Sequence, residues 1–441
     1  MKEKFILLIS GIVVCLSILF YFNTKSKNNL LKDNTITKSN SMAIMIKEDG
    51  DTNYSKFSKN SIPKGDYALN KEKSYCENNG NVVEYDSANG KVSISILGSD
   101  KCYLYFDYVD YPAKRLILNA NGGSVNIKKT LSQSMLSKFD DLGLSYYFFD
   151  QSVNNYVKFG KYSSDADIYY SMKETYIGES ECISEENTSK CNTKRLGTAG
   201  SNMLWRIIRI NGDGSIRMVY VGTDNDNDLK NIGSKRFNNL SDCSTSNKCL
   251  GYMYSSTDDG NANNTSSRVK EYLDSWYFTY IKGGQNNKYP YSQYIADAIY
   301  CNDRNLANSE DTPQQDVLDT ADMTMYAFQG RLAMLGYSFN CYNKYNSFTV
   351  NKYIDNYEGT GTLRFPIGLM TADEVKLTNN TSVLMTMTPF AMYNGGNPVL
   401  AFDVHTASPS AVYPVISLSK DVTLLGTGTK SDPYYIEGLN N

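Results

Sequence analysis

The chain holds one histidine, His405. A Ser–His–Asp or Cys–His machine would have to run through it, because both need an imidazole as general base. It stands in Asp403-Val404-His405-Thr406, at the end of an expected strand, where a solvent-facing side chain is the simpler reading. Asp224, Asp226 and Asp228 alternate in an oxygen-rich loop that could hold Ca²⁺. An EF-hand would need Gly at the sixth position and Glu at the twelfth, where this chain has Leu229 and Lys235. A solvated loop is therefore the default, and calcium is the one cofactor with any support. Asp373 and Glu374 could pass for an acid/base pair. They sit in Thr371-Ala372-Asp373-Glu374, a capping box, so starting a helix is their expected job. No partner carboxylate for glycoside hydrolysis accompanies them. The cysteines lack the electropositive setting that a reactive thiolate needs. Binding fits these residues better than catalysis.

The elements that would position a site are organised around Leu204–Val221. Two apolar runs flank Asn211-Gly212-Asp213-Gly214, a strong hairpin signal in which Gly212 and Gly214 can take positive φ. Leu204, Ile208 and Ile210 point to one face and Trp205 and Ile207 to the other, so the hairpin should be central and covered on both sides. Ser266–Ile281 reads as the best helix, with Val269, Leu273, Trp276 and Tyr280 on one face and Thr265, Ser266 and Ser267 as caps. A shorter helix is expected at Tyr291–Tyr300. Strands are expected at Leu144–Phe149, Asn154–Gly160, Leu363–Leu369, Ser382–Met387, Val399–Val404 and Val412–Leu418. Ahead of these, Met42–Ile46, Gly65–Leu69, Val82–Tyr85, Lys91–Leu97 and Cys102–Val109 read as strands of a small β-sandwich. Arg115–Asn119 is strand-like, and Thr130–Asp141 is polar with a helical pattern.

Nine cysteines are present. Cys15 falls in an apolar run, and the other eight form sequence-local couples: Cys76 with Cys102, Cys182 with Cys191, Cys243 with Cys249, and Cys301 with Cys341. Sequence alone leaves the connectivity open, but pairing neighbours would give each couple a loop or hairpin to close. Zinc is poorly served by one His and no CxxC. Disulfides imply an oxidising compartment. Phe5–Phe22 is the apolar run of membrane length, and no small residues stand before a cleavage point, so an uncleaved single-pass anchor is expected with the bulk of the chain extracellular. The resulting division is a cytoplasmic stub 1–4, anchor 5–22, linker 23–40, disulfide-stapled β module 41–111, connector 112–143 and C-terminal domain 144–441. The fold class is α+β, with few helices and many short strands. A net charge of −3 gives no reason to expect a nucleic-acid partner. Thirty-six tyrosines could line recognition surfaces or reflect coding bias alone.

A family resemblance runs through Asn155–Tyr162, Leu204–Tyr220, Ser266–Tyr277, Tyr300–Arg304, Phe365–Val375, Met385–Phe390 and Tyr413–Ile436. As a set these motifs resemble a family of bacterial cell-surface proteins common in gut Firmicutes and Mollicutes-like bacteria. That family's C-terminal module is similar to C-type-lectin-like and formylglycine-generating-enzyme-like domains. The resemblance covers about Leu144 to Gly438, and Ser41–Asp107 resembles the β-module often placed ahead of it. It implies a lectin-like fold with a binding role. This chain departs from the pattern at Met385, where the family tends to have Trp, and at Tyr413, where it tends to have Arg. The expected function is membrane-anchored extracellular binding or adhesion, toward a glycan or a host or cell-wall surface. The alternatives are a cell-envelope enzyme with a site in the C-terminal module, or a structural surface component.

Overall fold

The computed structural model describes residues 41–48, 51–57, 62–63, 66–78, 80–86, 90–95, 100–121, 135–148, 154–172, 174–186, 190–224, 230–237, 252–254, 265–284, 290–302, 338–341, 346–354, 357–377, 387, 390–392, 398–400 and 410–439. The apolar run Phe5–Phe22, the linker, His405, Asp226, Asp228, Cys243 and Cys249 lie outside them. Among the described residues, no helix is long and apolar enough to cross a membrane. The fold is rich in strands with few helices, an α+β protein, and it divides into two compact units.

The first unit is made of residues 41–62, 68–85 and 91–108 in its described part. Its strands are β1 (Ser41–Lys47), β2 (Ser55–Lys56), β3 (Tyr67–Leu69), β4 (Tyr75–Cys76), β5 (Asn81–Asp86), β6 (Lys91–Ser95) and β7 (Lys101–Tyr108). Where a sandwich was expected, these form one five-stranded sheet in the order β2-β1-β7-β3, with β4 on β7, and a separate β5–β6 hairpin. Cys102, Leu104 and Phe106 are buried while Tyr103 and Tyr105 between them are partly exposed, the period of two that a half-covered strand needs. In parallel register Ile44 faces Leu104 and Ile46 faces Phe106, so both strands bury the same side. Cys76 and Cys102 are direct cross-strand partners of β4 and β7 and are joined by a disulfide.

The second unit is built on a six-stranded antiparallel sheet. Its strands are β8 (Met135–Asp140), β9 (Gly143–Phe148), β10 (Tyr156–Lys161), β14 (Asn202–Ile210), β15 (Ile216–Thr223) and the strand Val415–Leu418. The central hairpin is β14–β15, and every residue of β15 is buried, as apolar side chains on both faces require. Gly214 takes positive φ, 89°, in the turn. Gly212 is needed for a different reason. A Cβ there would lie 2.2 Å from the backbone nitrogen of Gly143, so this turn closes directly on the turn of the β8–β9 hairpin. Asp140 fastens the two turns, accepting from the N–H groups of Leu142, Gly143 and Gly212 at 2.9–3.0 Å. A side sheet, β12-β11-β13 (Thr175–Tyr176, Ala166–Tyr170, Asn192–Gly197), accompanies helix Glu179–Glu186, which the Cys182–Cys191 disulfide ties down. A third disulfide joins Cys301 to Cys341. Three disulfides fit an extracellular, oxidising compartment.

Four expectations need correction. Arg115–Asn119 is not a strand but the core of helix Pro112–Ala120. Proline at the start pre-sets φ for a helix, and Ala113, Ile117 and Leu118 then bury one face in the core of the second unit. Residues 135–140 are strand β8, not helix: pairing with β9, itself paired to β14, overrides local preference. The stretch expected as a connector therefore contributes folded parts of the second unit. Tyr291–Tyr300 has only a 3₁₀ turn, Pro290–Tyr294, before the chain extends so that Ala296 N–H donates to Ser417 O. Leu363–Leu369 forms no regular strand. Pro366 interrupts it, and Gly368 lies so close to Tyr300 that a Cβ would sit 2.4 Å from the ring.

Candidate binding cleft

Helix Arg268–Tyr280 begins as its sequence demands. Ser267 caps it, its Oγ accepting from Lys270 N–H at 3.2 Å while the hydroxyl donates to Tyr252 O at 2.5 Å. Val269, Leu273 and Trp276 turn into the core. The opposite side of the helix borders a cleft of about 550 Å³. Glu181 and Glu185 of helix Glu179–Glu186, Lys235, and Thr362 to Arg364 complete its walls.

The charges of the cleft are arranged in pairs. Glu174 Oε2 receives Lys235 Nζ at 3.3 Å and Arg268 Nη2 at 2.9 Å, and Arg268 Nη2 also reaches Glu185 at 2.9 Å. The Lys235 ammonium lies over the rings of Tyr176 and Tyr272, 4.2 and 5.2 Å from their centroids. Burial pulls its pKa below that of an ordinary lysine, Glu174 partly opposing. One turn along, Lys270 Nζ and Asp274 Oδ2 lie 2.6 Å apart, both side chains nearly buried. Burial raises the Asp274 pKa although Lys270 pulls it down. Four acids (Glu181, Glu185, Glu271, Asp274) and four bases (Lys235, Arg268, Lys270, Arg364) line the cleft, so it is strongly polar yet balanced in charge. Among the described residues there is no group of three or more His, Cys, Asp or Glu able to hold a metal.

The residues singled out from sequence lie elsewhere. Asp224 accepts from Asn202 N–H at 3.2 Å and its Nδ2 at 2.6 Å, closing the end of β15 on the start of β14. Asp373 accepts from Ser338 N–H. Glu374 completes the capping box: Thr371 N–H donates to Oε2 at 3.0 Å, and Glu374 N–H to Thr371 Oγ1 at 3.1 Å. Its other oxygen faces Arg217 Nε at 2.7 Å and Arg209 Nε at 3.2 Å, as ion pairs rather than well-angled hydrogen bonds. Burial alone would raise the Glu374 pKa, but Arg217 first and then Arg209 hold it below the usual value. Walled in by two guanidiniums and bonded to its own helix start, this carboxylate has a clear structural part in the second unit. Arg209 and Arg217 themselves were a readable signal. A charged residue amid the apolar runs of a covered hairpin must meet a buried partner.

Asp141 gives the second unit a pH dependence. It accepts from Cys341 N–H at 2.7 Å, and burial pushes its pKa up to about 7. The folded state therefore binds this proton more tightly than the unfolded chain does, and stability falls as pH rises from about 4 to about 7. Glu374, depressed, acts oppositely: its contribution is complete above its unfolded pKa and is lost as pH falls through the folded value. The thermal midpoint is thus expected to be higher near about pH 5 than near about pH 7.5, with Asp141→Asn removing part of the difference. A midpoint that rises steadily toward pH 7.5 would contradict this.

No protein-family model matches the chain, and no curated protein or solved structure matches it either.

Proposed function

We propose that this chain is a cell-surface binding protein, anchored through Phe5–Phe22 and using the second unit, a lectin-like module, to hold an extracellular ligand. The observation that carries this reading is the cleft beside helix Arg268–Tyr280. Its walls offer many hydrogen-bonding groups, and its buried charges neutralise one another, as suits recognition of a polar ligand. The disulfides support an extracellular setting, and the motif series that resembles bacterial surface proteins supports a binding role.

The test is a glycan and host-matrix array probed with the oxidised full chain, with and without calcium. Saturable binding to one ligand class is expected, with Arg364→Glu on the cleft wall weakening it about tenfold or more. Dependence on calcium would bring in the Asp224–Asp228 loop. Silence across the array, or binding indifferent to Arg364→Glu, would remove the proposal.

A further inference from the structure

Thirty-six tyrosines stand in the chain, yet Tyr272 alone of them lines the cleft among the described residues. We infer that two others, Tyr75 and Tyr103 of the first unit, form a site of oxidative cross-linking at which a one-electron oxidant joins their rings as dityrosine. Tyr75 of β4 and Tyr103 of β7 are direct cross-strand partners. Their ring centroids lie 5.0 Å apart and the rings are only 18° from parallel. Bringing two ring carbons to bonding distance therefore takes side-chain rotation and no change in strand pairing. Tyr75 is 51% exposed and Tyr103 half-buried, so an oxidant in solution reaches the pair. The Tyr103 hydroxyl donates to Glu77 Oε1 at 2.9 Å. A phenol gives up an electron more readily when a base stands ready for its proton, and the Glu77 carboxylate is that base. The Cys76–Cys102 disulfide, one residue along each strand, locks the register that holds the rings together. Such pre-positioning turns the meeting of two radicals into an intramolecular step.

Other tyrosine neighbours are less well placed. Tyr54 and Tyr105 meet edge-on, at 86°, and the Tyr54 hydroxyl is tied to Asp107 and Asn70. Tyr162 and Tyr220 touch through their hydroxyls but are buried.

The co-reactant is hydrogen peroxide acting through a haem peroxidase. Each phenol loses one electron and its hydroxyl proton, that of Tyr103 passing to Glu77 and then to water. The unpaired electrons spread onto the ring carbons ortho to oxygen, and one such carbon from each ring pairs to form a C–C bond. The hydrogens on those carbons then move to the two oxygens, which restores both phenols. Two electrons and two protons have left the protein, and they reduce one peroxide to two waters. The product joins β4 to β7 by a bond that thiols do not cleave, beside a disulfide that they do.

The experiment treats the full chain and its Tyr75→Phe variant with peroxidase and peroxide, with N-acetyltyrosine in a parallel reaction to show that the oxidant is active. Dityrosine fluorescence and tandem mass spectrometry of the peptides are read after reduction and alkylation, because the disulfide joins the same two strands. The expected product is monomeric on a denaturing gel, with Tyr75 and Tyr103 joined and the mass lower by two hydrogen atoms. Tyr75→Phe keeps the stacked ring and loses this linkage completely. A bond formed chiefly between copies or at other tyrosines would overturn the site. So would the absence of a Tyr75–Tyr103 bond while N-acetyltyrosine couples. The outcome is independent of whether the cleft holds a ligand.

Discussion

Glu374→Ala lowers the stability of the second unit by about 3–5 kcal/mol, roughly 10 °C in thermal midpoint. The loss comes from what stays behind. Arg217 is fully buried and Arg209 nearly so, and neither guanidinium can give up its charge. Arg217 retains Leu369 O at 3.2 Å and the face of Tyr300 at 4.9 Å, and Arg209 retains a distant Asp140 at 3.6 Å. Neither set replaces the carboxylate. Thr371→Ala provides the control, since it removes the reciprocal cap but keeps the anion and should cost about 1 kcal/mol. Thermal unfolding of the two variants separates the roles. Equal losses would mean that Glu374 serves the helix start and nothing else.

Trp205→Ala is expected to cost about 3–5 kcal/mol. The indole is fully buried between the hairpin and helix Arg268–Tyr280, edge-on to Tyr220 at 5.4 Å and to Trp276 at 6.3 Å. Its Nε1 donates to Phe159 O at 2.7 Å, which ties β14 to β10. Truncation therefore opens a cavity at the junction of sheet and helix and also leaves a buried carbonyl without its donor. Trp205→Phe keeps most of the volume and loses only the hydrogen bond, so its loss should stay near about 1–2 kcal/mol. Denaturant melts of the pair test this, and an alanine variant no worse than the phenylalanine one would show that the site collapses freely.

Local signals made much of the frame readable. The Asn211–Gly214 turn, the capped helix with its four-three-four apolar spacing, and the cysteine couples are each decided within a few dozen residues, and each is realised for the pairs described. The ambiguous stretches were those where local pattern allows two answers. Arg115-Leu116-Ile117-Leu118-Asn119 serves as a short strand or, behind Pro112, as a helix face. Residues 135–140 needed β9 to become a strand. The cleft was not legible at all. Glu181, Lys235, Arg268 and Arg364 are scattered over the chain, and only the folded sheet and its helix bring them together. The Glu374 cluster shows the same limit from the other side. The capping box is a four-residue pattern and was visible, whereas its two arginines stand more than a hundred and fifty positions upstream.

The flank of β15 is covered by Val415–Leu418, paired from Ile216 against Leu418 to Val219 against Val415. These two strands belong together in the sheet but not in the order of synthesis. Until the second of them emerges, Ile216–Val219 presents unpaired N–H and C=O groups on a largely apolar ribbon, the kind of edge that recruits other chains. A nascent or truncated protein ending before Val415 is accordingly an aggregation hazard, however sound its earlier parts.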